Sequence, residues 1–433
     1  MREMKDSGIE WIGEIPKDWI CVPLKTEVTF GKGLPITKAN LIEKGIAVVS
    51  YGQIHSKTNA GCYLKKELVR YVSEKYLKTN PECLTNKGDI LVADTSEDYD
   101  GIGNAVLIDW DRGIFAGYHT VIIRPKSKDK SKYLSYLFMT DAWRSQLRSR
   151  ASGIKVFSVT QGLLKKTSII LPDDRSTKTI TDYLDQKCAK IDSIIEKQQE
   201  IIEKLKEYKL SIITEAVTKG LNPDVEMKDS GIDLCENIPA HWDVLQNRYL
   251  FSLRNEKNYK PLEEVQLLSL YTDLGVFPHG EQEERGNKAV KAEGYKVVYE
   301  DDIIVNIILA WMGAIGRSSY AGVTSPAYDI YKPMKGVCSR YYHYLYRTKL
   351  FSGECYKYGR GIMAMRWRTY SSEFKGIKVP TPLYEEQVEI ANYLDEKCEL
   401  IDKSIEDRQQ AIDKLLDYKK SLIYEVVTGK KEV

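Results

Sequence analysis

Two long charged stretches, from about Thr179 to Lys219 and from about Val388 to the C-terminus, carry the same apolar seam. The first places Leu184, Cys188, Ile191, Ile195, Gln198, Ile202, Leu205 and Ile212 along it; the second places Leu394, Cys398, Ile401, Ile405, Arg408, Ile412, Leu415 and Leu422. Steps of three and four alternate, which is the 3.5-residue period of a coiled coil. Each stretch predicts a helix of about 40 residues, roughly 60 Å long at 1.5 Å per residue. So narrow a stripe cannot build a core alone and needs a partner helix. Its own repeat supplies one. Tyr183-Leu184-Asp185-Gln186-Lys187-Cys188 returns as Tyr393-Leu394-Asp395-Glu396-Lys397-Cys398, and Glu215-Ala216-Val217-Thr218 as Glu425-Val426-Val427-Thr428. Copies related by an internal two-fold run antiparallel. The expected helix–helix seam is Leu184, Ile191, Ile195, Ile202 and Leu205 against Leu394, Ile401, Ile405, Ile412 and Leu415.

A second repeat marker gives the period. Met4-Lys5-Asp6-Ser7-Gly8-Ile9 leads to Ile15-Pro16-Lys17-Asp18-Trp19, and Met227-Lys228-Asp229-Ser230-Gly231-Ile232 leads to Ile238-Pro239-Ala240-His241-Trp242. The chain is head, globular body, long helix, then the same again. Gly220 and Pro223 stop the first helix. The expected divisions are 1–177 for head and first body, 178–220 for the first long helix, 221–385 for the second head and body, and 386–433 for the second helix. Each body mixes short β-branched strands (Ile46–Val49, Asp89–Val92 and Thr120–Ile123; Gln266–Leu270 and Asp302–Val305) with one short helix, Tyr133–Ser149 or Arg340–Leu350. Each closes on a strand ending at Pro172 or Pro380. The fold class is α+β: two mixed globular domains joined by two long antiparallel coiled-coil helices, with an internal pseudo-two-fold repeat. Between the markers the bodies share little sequence, as expected of two copies doing one job on different ligands.

Composition removes several function classes. Of 433 residues, 42% are hydrophobic and 29% charged, ordinary for a globular protein. No apolar run approaches the roughly 18 residues of a membrane span, and the N-terminal residues lack the apolar core of a signal peptide. Eight cysteines without a CxxC pair fit reduced thiols in the cytoplasm. There is no P-loop, and no Asn-Pro-Pro-aromatic motif of amino-methyltransferases. His55, His119, His241, His279 and His343 lack ligand spacing, so no metal site is expected. The chain reads as non-catalytic.

A net charge of +2 does not argue for nucleic acid, so the placement of charge must. From Ala142 to Pro172 there is no acid, while Arg144, Arg148, Arg150, Lys155, Lys165 and Lys166 accumulate. The matching stretch of the second half holds Arg340, Arg347, Lys349, Lys357, Arg360, Arg366 and Arg368 against the single acid Glu354, with Tyr356, Tyr358, Trp367 and Tyr370 interleaved. Such cations neutralise phosphates, and arginine reads base edges. The segments Gly31-Lys32-Gly33, Gln53–Lys57 and Trp311–Tyr320 are further candidate loops. Lys32, Lys57, Arg148, Arg150, Lys155, Arg317, Arg360, Arg366 and Arg368 are the expected DNA-binding residues.

The heads, together with Pro382…Glu385-Glu386-Gln387…Ile390-Ala391…Tyr393-Leu394-Asp395 and Ala310-Trp311-Met312-Gly313-Ala314-Ile315-Gly316…Ser325-Pro326-Ala327-Tyr328, resemble the DNA-specificity subunits of type I restriction-modification systems. The resemblance spans essentially the whole chain. The first half departs from it where Asp173-Asp174-Arg175-Ser176-Thr177 stands in place of Pro382–Gln387. It implies that each body is a target recognition domain for half of a bipartite sequence in double-stranded DNA, with the helices setting the gap between half-sites. It also implies docking of two methyltransferase subunits and of motor-nuclease restriction subunits. S-adenosylmethionine would then sit on the methyltransferase, with no cofactor in this chain and no membrane partner. The competing reading is a two-headed protein-binding scaffold without DNA specificity.

Overall fold

A computed structural model of the chain describes residues 2–56, 59, 62–153, 155–272, 275–279, 292–361 and 367–433. It divides into two compact units, Met1–Gln198 with Gln410–Val433, and Gln199–Gln409. Each unit thus combines one body, the first part of the helix that follows that body, and the last part of the other long helix.

In the first unit, β1 (Val28–Lys32), β2 (Ile90–Ala93), β3 (Ala105–Leu107) and β4 (Thr120–Pro125) form an antiparallel sheet in the order β1-β4-β2-β3. Every residue of β2 is buried, which its unbroken apolar run Ile-Leu-Val-Ala dictates. The sheet is followed by α1 (Ser131–Phe138) and α2 (Asp141–Arg148), where one helix over Tyr133–Ser149 is expected from sequence. Backbone at Thr140 turns extended, at ψ 146°, and splits it. Leu171, at the end of the strand Ser168–Leu171, leads into α3 (Asp174–Lys219).

The second unit repeats this plan. Its sheet is β5 (Phe251–Arg254), β6 (Ile303–Asn306), β7 (Ile315–Arg317) and β8 (Tyr328–Pro333) in the order β5-β8-β6-β7. There follow α4 (Ser339–Tyr346) and α5 (Lys349–Tyr358), again two helices in place of one. Here Thr348 makes the break, its hydroxyl capping the Phe351 amide at 3.2 Å. The last helix is α6 (Tyr384–Val427). The closing strands pair alike, Ser168–Leu171 on Ile20–Pro23 and Lys378–Thr381 on Asp243–Gln246.

The long helices start earlier than their apolar seams suggest. Asp173 caps α3, its carboxylate accepting from the Ser176 amide at 3.0 Å and the Ser176 hydroxyl at 2.7 Å. Those bonds, the hydroxyl's first, hold its pKa below the usual carboxylate value. The departure in sequence at 173–177 is therefore a working N-terminus of a different kind.

Both helices end on a left-handed glycine, Gly220 at φ +75° and Gly429 at φ +72°. These ends explain the repeated heads. A Cβ on Gly429 would strike Pro16 and approach Trp19, and one on Gly220 would approach Trp242 and Pro239. In the first unit the fully buried Trp19 lies edge-on to Tyr133 at 6.5 Å, and the Tyr133 hydroxyl donates to Val427 O at 2.9 Å. In the second, Trp242 lies edge-on to Tyr341 at 6.5 Å, and Tyr341 donates to Val217 O at 2.9 Å. The Ile-Pro-x-x-Trp head and the Val-Thr ending recur because each head seats on a helix end.

Along the helices, Leu184, Ile191, Ile195, Ile202, Leu394, Ile401 and Ile412 are buried, and Leu205, Ile405 and Leu415 half-buried. Within each unit the two helical segments run antiparallel. In the second, Ala216 and Val217 share a core with Ile390, Ala391 and Leu394, and Lys209 pairs with Asp402 at 2.6 Å. The same pairing holds the first unit, where Lys419 meets Asp192 at 2.7 Å with its ammonium stem almost wholly buried. No helix among the described residues is long and apolar enough to cross a membrane.

Candidate nucleic-acid interface

The two basic stretches found in the sequence fold into equivalent places. Each runs from the second short helix into a loop closed by one antiparallel bridge, Ser152 to Ser158 in the first unit and Arg360 to Arg368 in the second. Each loop then ties back to the turn after the central strand. Val159 N donates to Asp94 O at 2.7 Å, and Thr369 N donates to Ile307 O at 2.9 Å.

In the first unit Arg150 and Lys155 are exposed on this loop and carry no ion pair among the described residues. Phe157 meets Tyr99, from the β2–β3 connection, edge-on at 6.0 Å. Arg148 is engaged within the protein: it pairs with Asp141 at 2.7 Å, donates to Asp100 O at 3.0 Å and lies 5.8 Å above the Tyr99 ring. Arg144 goes further inward, donating to Ile102 O at 3.1 Å, Asp100 O at 2.8 Å and the Asn104 amide oxygen. Burial, and then the neighbouring Arg148, lowers its pKa to about 10. These two arginines brace the loop that follows β2.

Lys32 lies elsewhere, exposed at the end of β1 in a cleft of about 770 Å³ with Asp94, Thr95, His119, Thr160 and Gln161. Lys57 lies outside the described residues.

In the second unit Arg360 is exposed and pairs with Glu373 at 2.9 Å. Arg368 is half-buried and donates to Trp367 O at 2.9 Å, while Arg366 lies outside the described residues. Trp367 stacks on Tyr356 at 4.9 Å, and Tyr356 meets Trp311 from the β6–β7 connection at 6.0 Å. Sequence reasoning did not single out Tyr99 or pair Trp311 with this loop. The signal available for them was one aromatic after each central strand, too common to use.

Arg317, on β7, binds Asp301 at 2.5 Å and the Ser319 hydroxyl at 3.0 Å, so its guanidinium is oriented within the unit. Its amide donates to His343 Nδ1 at 3.1 Å. Burial, then Arg347 and Arg317, pushes the His343 pKa down to about 3. The native state then refuses a proton that the unfolded state accepts near pH 6.5. Stability should be whole above that pH and fall as pH drops from 6.5 towards 3, by about 1.4 kcal/mol per unit. Urea unfolding at pH 7 and pH 5 checks this: His343→Gln should remove up to about 2 kcal/mol of the acid-induced loss, and an unchanged loss refutes it.

Among the described residues no group of three or more His, Cys, Asp or Glu side chains could hold a metal ion. What both units do offer among the described residues is cations and ring faces, Arg150, Lys155 and Phe157 in one and Arg360, Tyr356 and Trp367 in the other, at one place beside the end of a central strand. Such a surface suits a phosphate backbone and base edges.

Residues 16–207 match the family model of the type I restriction modification DNA specificity domain. The chain is 24% identical over 431 residues to the putative type I restriction enzyme MjaX specificity subunit of Methanocaldococcus jannaschii, covering 97% of this chain and 95% of that one. It is 27% identical over 213 residues to the MjaVIII specificity subunit of the same organism and 21% over 229 residues to the EcoKI specificity subunit of Escherichia coli. Those two alignments span about half of each relative, 47% and 44%. In fold, it is similar to a chain solved in work on complex assembly and conformational transition of the type I R-M system, with a TM-score of 0.67, 14% identity, and coverage of 96% of this chain and 99% of that one. It also resembles the HsdS subunit from Thermoanaerobacter tengcongensis, with a TM-score of 0.52, 15% identity, and coverage of 96% and 98%. By sequence over residues 16–207 and along the MjaX relative, and by fold over most of its length, the chain is similar to the DNA-specificity subunits of type I restriction-modification systems.

Proposed function

We propose that this chain reads a bipartite DNA sequence, one half-site per body, and lends that specificity to methyltransferase and motor-nuclease subunits docked on it. The observation that carries the reading is a duplicated scaffold with unlike contents. Sheet order, head-to-helix contacts and loop position repeat between the units, while the loops and the helices leading into them present Lys155 and Phe157 in one and Arg360, Tyr356 and Trp367 in the other. One job done on two different half-sites accounts for that pattern. The chain does no chemistry in this account: S-adenosylmethionine is bound by the methyltransferase, two copies of which dock here, and adenine is methylated there. The long helices act as the spacer between readers.

The test is binding of fluorescent duplex DNA by the chain assembled with its partner methyltransferase, across a salt series. Phosphate contacts release counterions, so six or more of them cost about 10³-fold or more in affinity between 50 and 200 mM salt. Affinity indifferent to both salt and sequence would favour a scaffold for protein ligands instead.

A further inference from the structure

We propose that His119 is a base-reading residue of the first body, and that with Lys32 it recognises an adenine through the major groove. The proposal rests on the DNA-specificity reading above and adds the residue and the base.

His119 stands in the cleft at the ends of β1 and β2 and the start of β4. Its backbone is left-handed at φ +57°, a conformation unfavourable for a residue with a Cβ and concentrated at functional positions. Its side chain is 56% exposed, yet it is held from three sides. Nδ1 lies 3.2 Å from Asp94 Oδ1 and 3.1 Å from Thr95 Oγ1, and the ring sits edge-on to Tyr51 at 5.4 Å and Tyr118 at 6.0 Å. An exposed imidazole with nothing to bind has no need of such fixing.

The hydrogen-bond directions determine what it offers. Thr95 Oγ1 gives its own hydrogen to Asp94 Oδ1 at 2.7 Å, so both oxygens near Nδ1 can accept. Nδ1 therefore carries a ring hydrogen, and in that tautomer Nε2 keeps its lone pair as an acceptor. Lys32, exposed in the same cleft, supplies donors only. Gly33 lets the backbone next to Lys32 run against the turn that carries His119, since a Cβ there would collide with Gly117 O and Thr120 Oγ1. One acceptor beside one donor complements adenine, which shows N6–H2 and N7 in the major groove. Guanine shows two acceptors and would set O6 against the Nε2 lone pair.

The experiment uses the chain assembled with its methyltransferase on its target duplex, with each adenine of both half-sites replaced in turn by guanine or 7-deazaadenine. His119→Gly serves as the variant because glycine accepts the left-handed backbone, and urea unfolding confirms that it folds. Wild type should lose about tenfold or more at one adenine of one half-site on either replacement, and His119→Gly should erase most of the guanine penalty there while leaving the other half-site untouched. The proposal is overturned if His119→Gly discriminates as wild type does, if it weakens all sequences equally as loss of a phosphate contact would, or if its effect falls on both halves. A wild-type complex that prefers no sequence at all would overturn the specificity reading itself, a result distinct from these.

Discussion

Replacing Trp19 or Trp242 by alanine is expected to destabilise its own unit by about 3–5 kcal/mol, the range for deleting a fully buried aromatic side chain. Trp19 is 1% exposed and Trp242 is 0% exposed. Each fills the space between the body's buried tyrosine and the glycine that ends a long helix. The loss should therefore appear as a detached helix end as well as a softened body. Hydrogen exchange would show it: Trp19→Ala deprotects residues 410–427 and the first body, and Trp242→Ala deprotects 199–219 and the second. Uniform deprotection of the whole chain by either variant would contradict the two-unit account.

Asp185→Ala is the second large expected effect. The Asp185 carboxylate accepts from the Tyr63 hydroxyl at 2.8 Å and the Tyr136 hydroxyl at 2.7 Å, and pairs with Lys132 at 2.8 Å. Burial first, then Cys62 and the Asp185 carboxylate, drives both tyrosine hydroxyls well above their ordinary pKa, so they remain donors at every working pH. Removing their acceptor leaves two partly buried hydroxyls unpaired. With the exposure of Lys132 discounted, the cost is about 2–3 kcal/mol in urea unfolding. The counterpart Asp395 accepts from Tyr344 at 2.7 Å and pairs with Arg340 at 2.6 Å, but has one tyrosine fewer and stands more open to water. Asp395→Ala should cost about 1 kcal/mol. A reversed order of the two costs would sink this reading of the body–helix joints.

The helix seam shows what sequence can carry. Leu184, Ile191, Leu394 and Ile412 repeat with a period that only one geometry satisfies, and they are buried along the helices. The heads were legible as repeats but not as contacts. Nothing in Ile-Pro-x-x-Trp says that Trp19 meets Gly429 from the far end of the chain, because that contact is made by topology. Thr140 and Thr348 each broke an expected helix for local reasons, an extended backbone at one and a hydroxyl cap at the other.

The candidate interface was partly legible. A dense basic run locates a loop, and both runs did fold into matching loops. The run does not say which cations face outward. Arg144 and Arg148 have their donors drawn into carbonyls made available by the turn after β2, whereas Arg150 and Lys155 do not. His119 left no trace in the sequence because its importance lies in a backbone angle and two neighbours, Asp94 and Thr95, some 25 residues away.

The central claim is that two unlike readers on one duplicated frame each recognise their own half of a split site. Genome-wide mapping of methylated adenines, after co-expression with the partner methyltransferase, tests it directly when wild type is set beside Lys155→Ala and Arg360→Ala. The account predicts a bipartite motif with one fixed gap, relaxed in one half by Lys155→Ala and in the other half by Arg360→Ala. A continuous motif, or two variants that relax the same half, would contradict it.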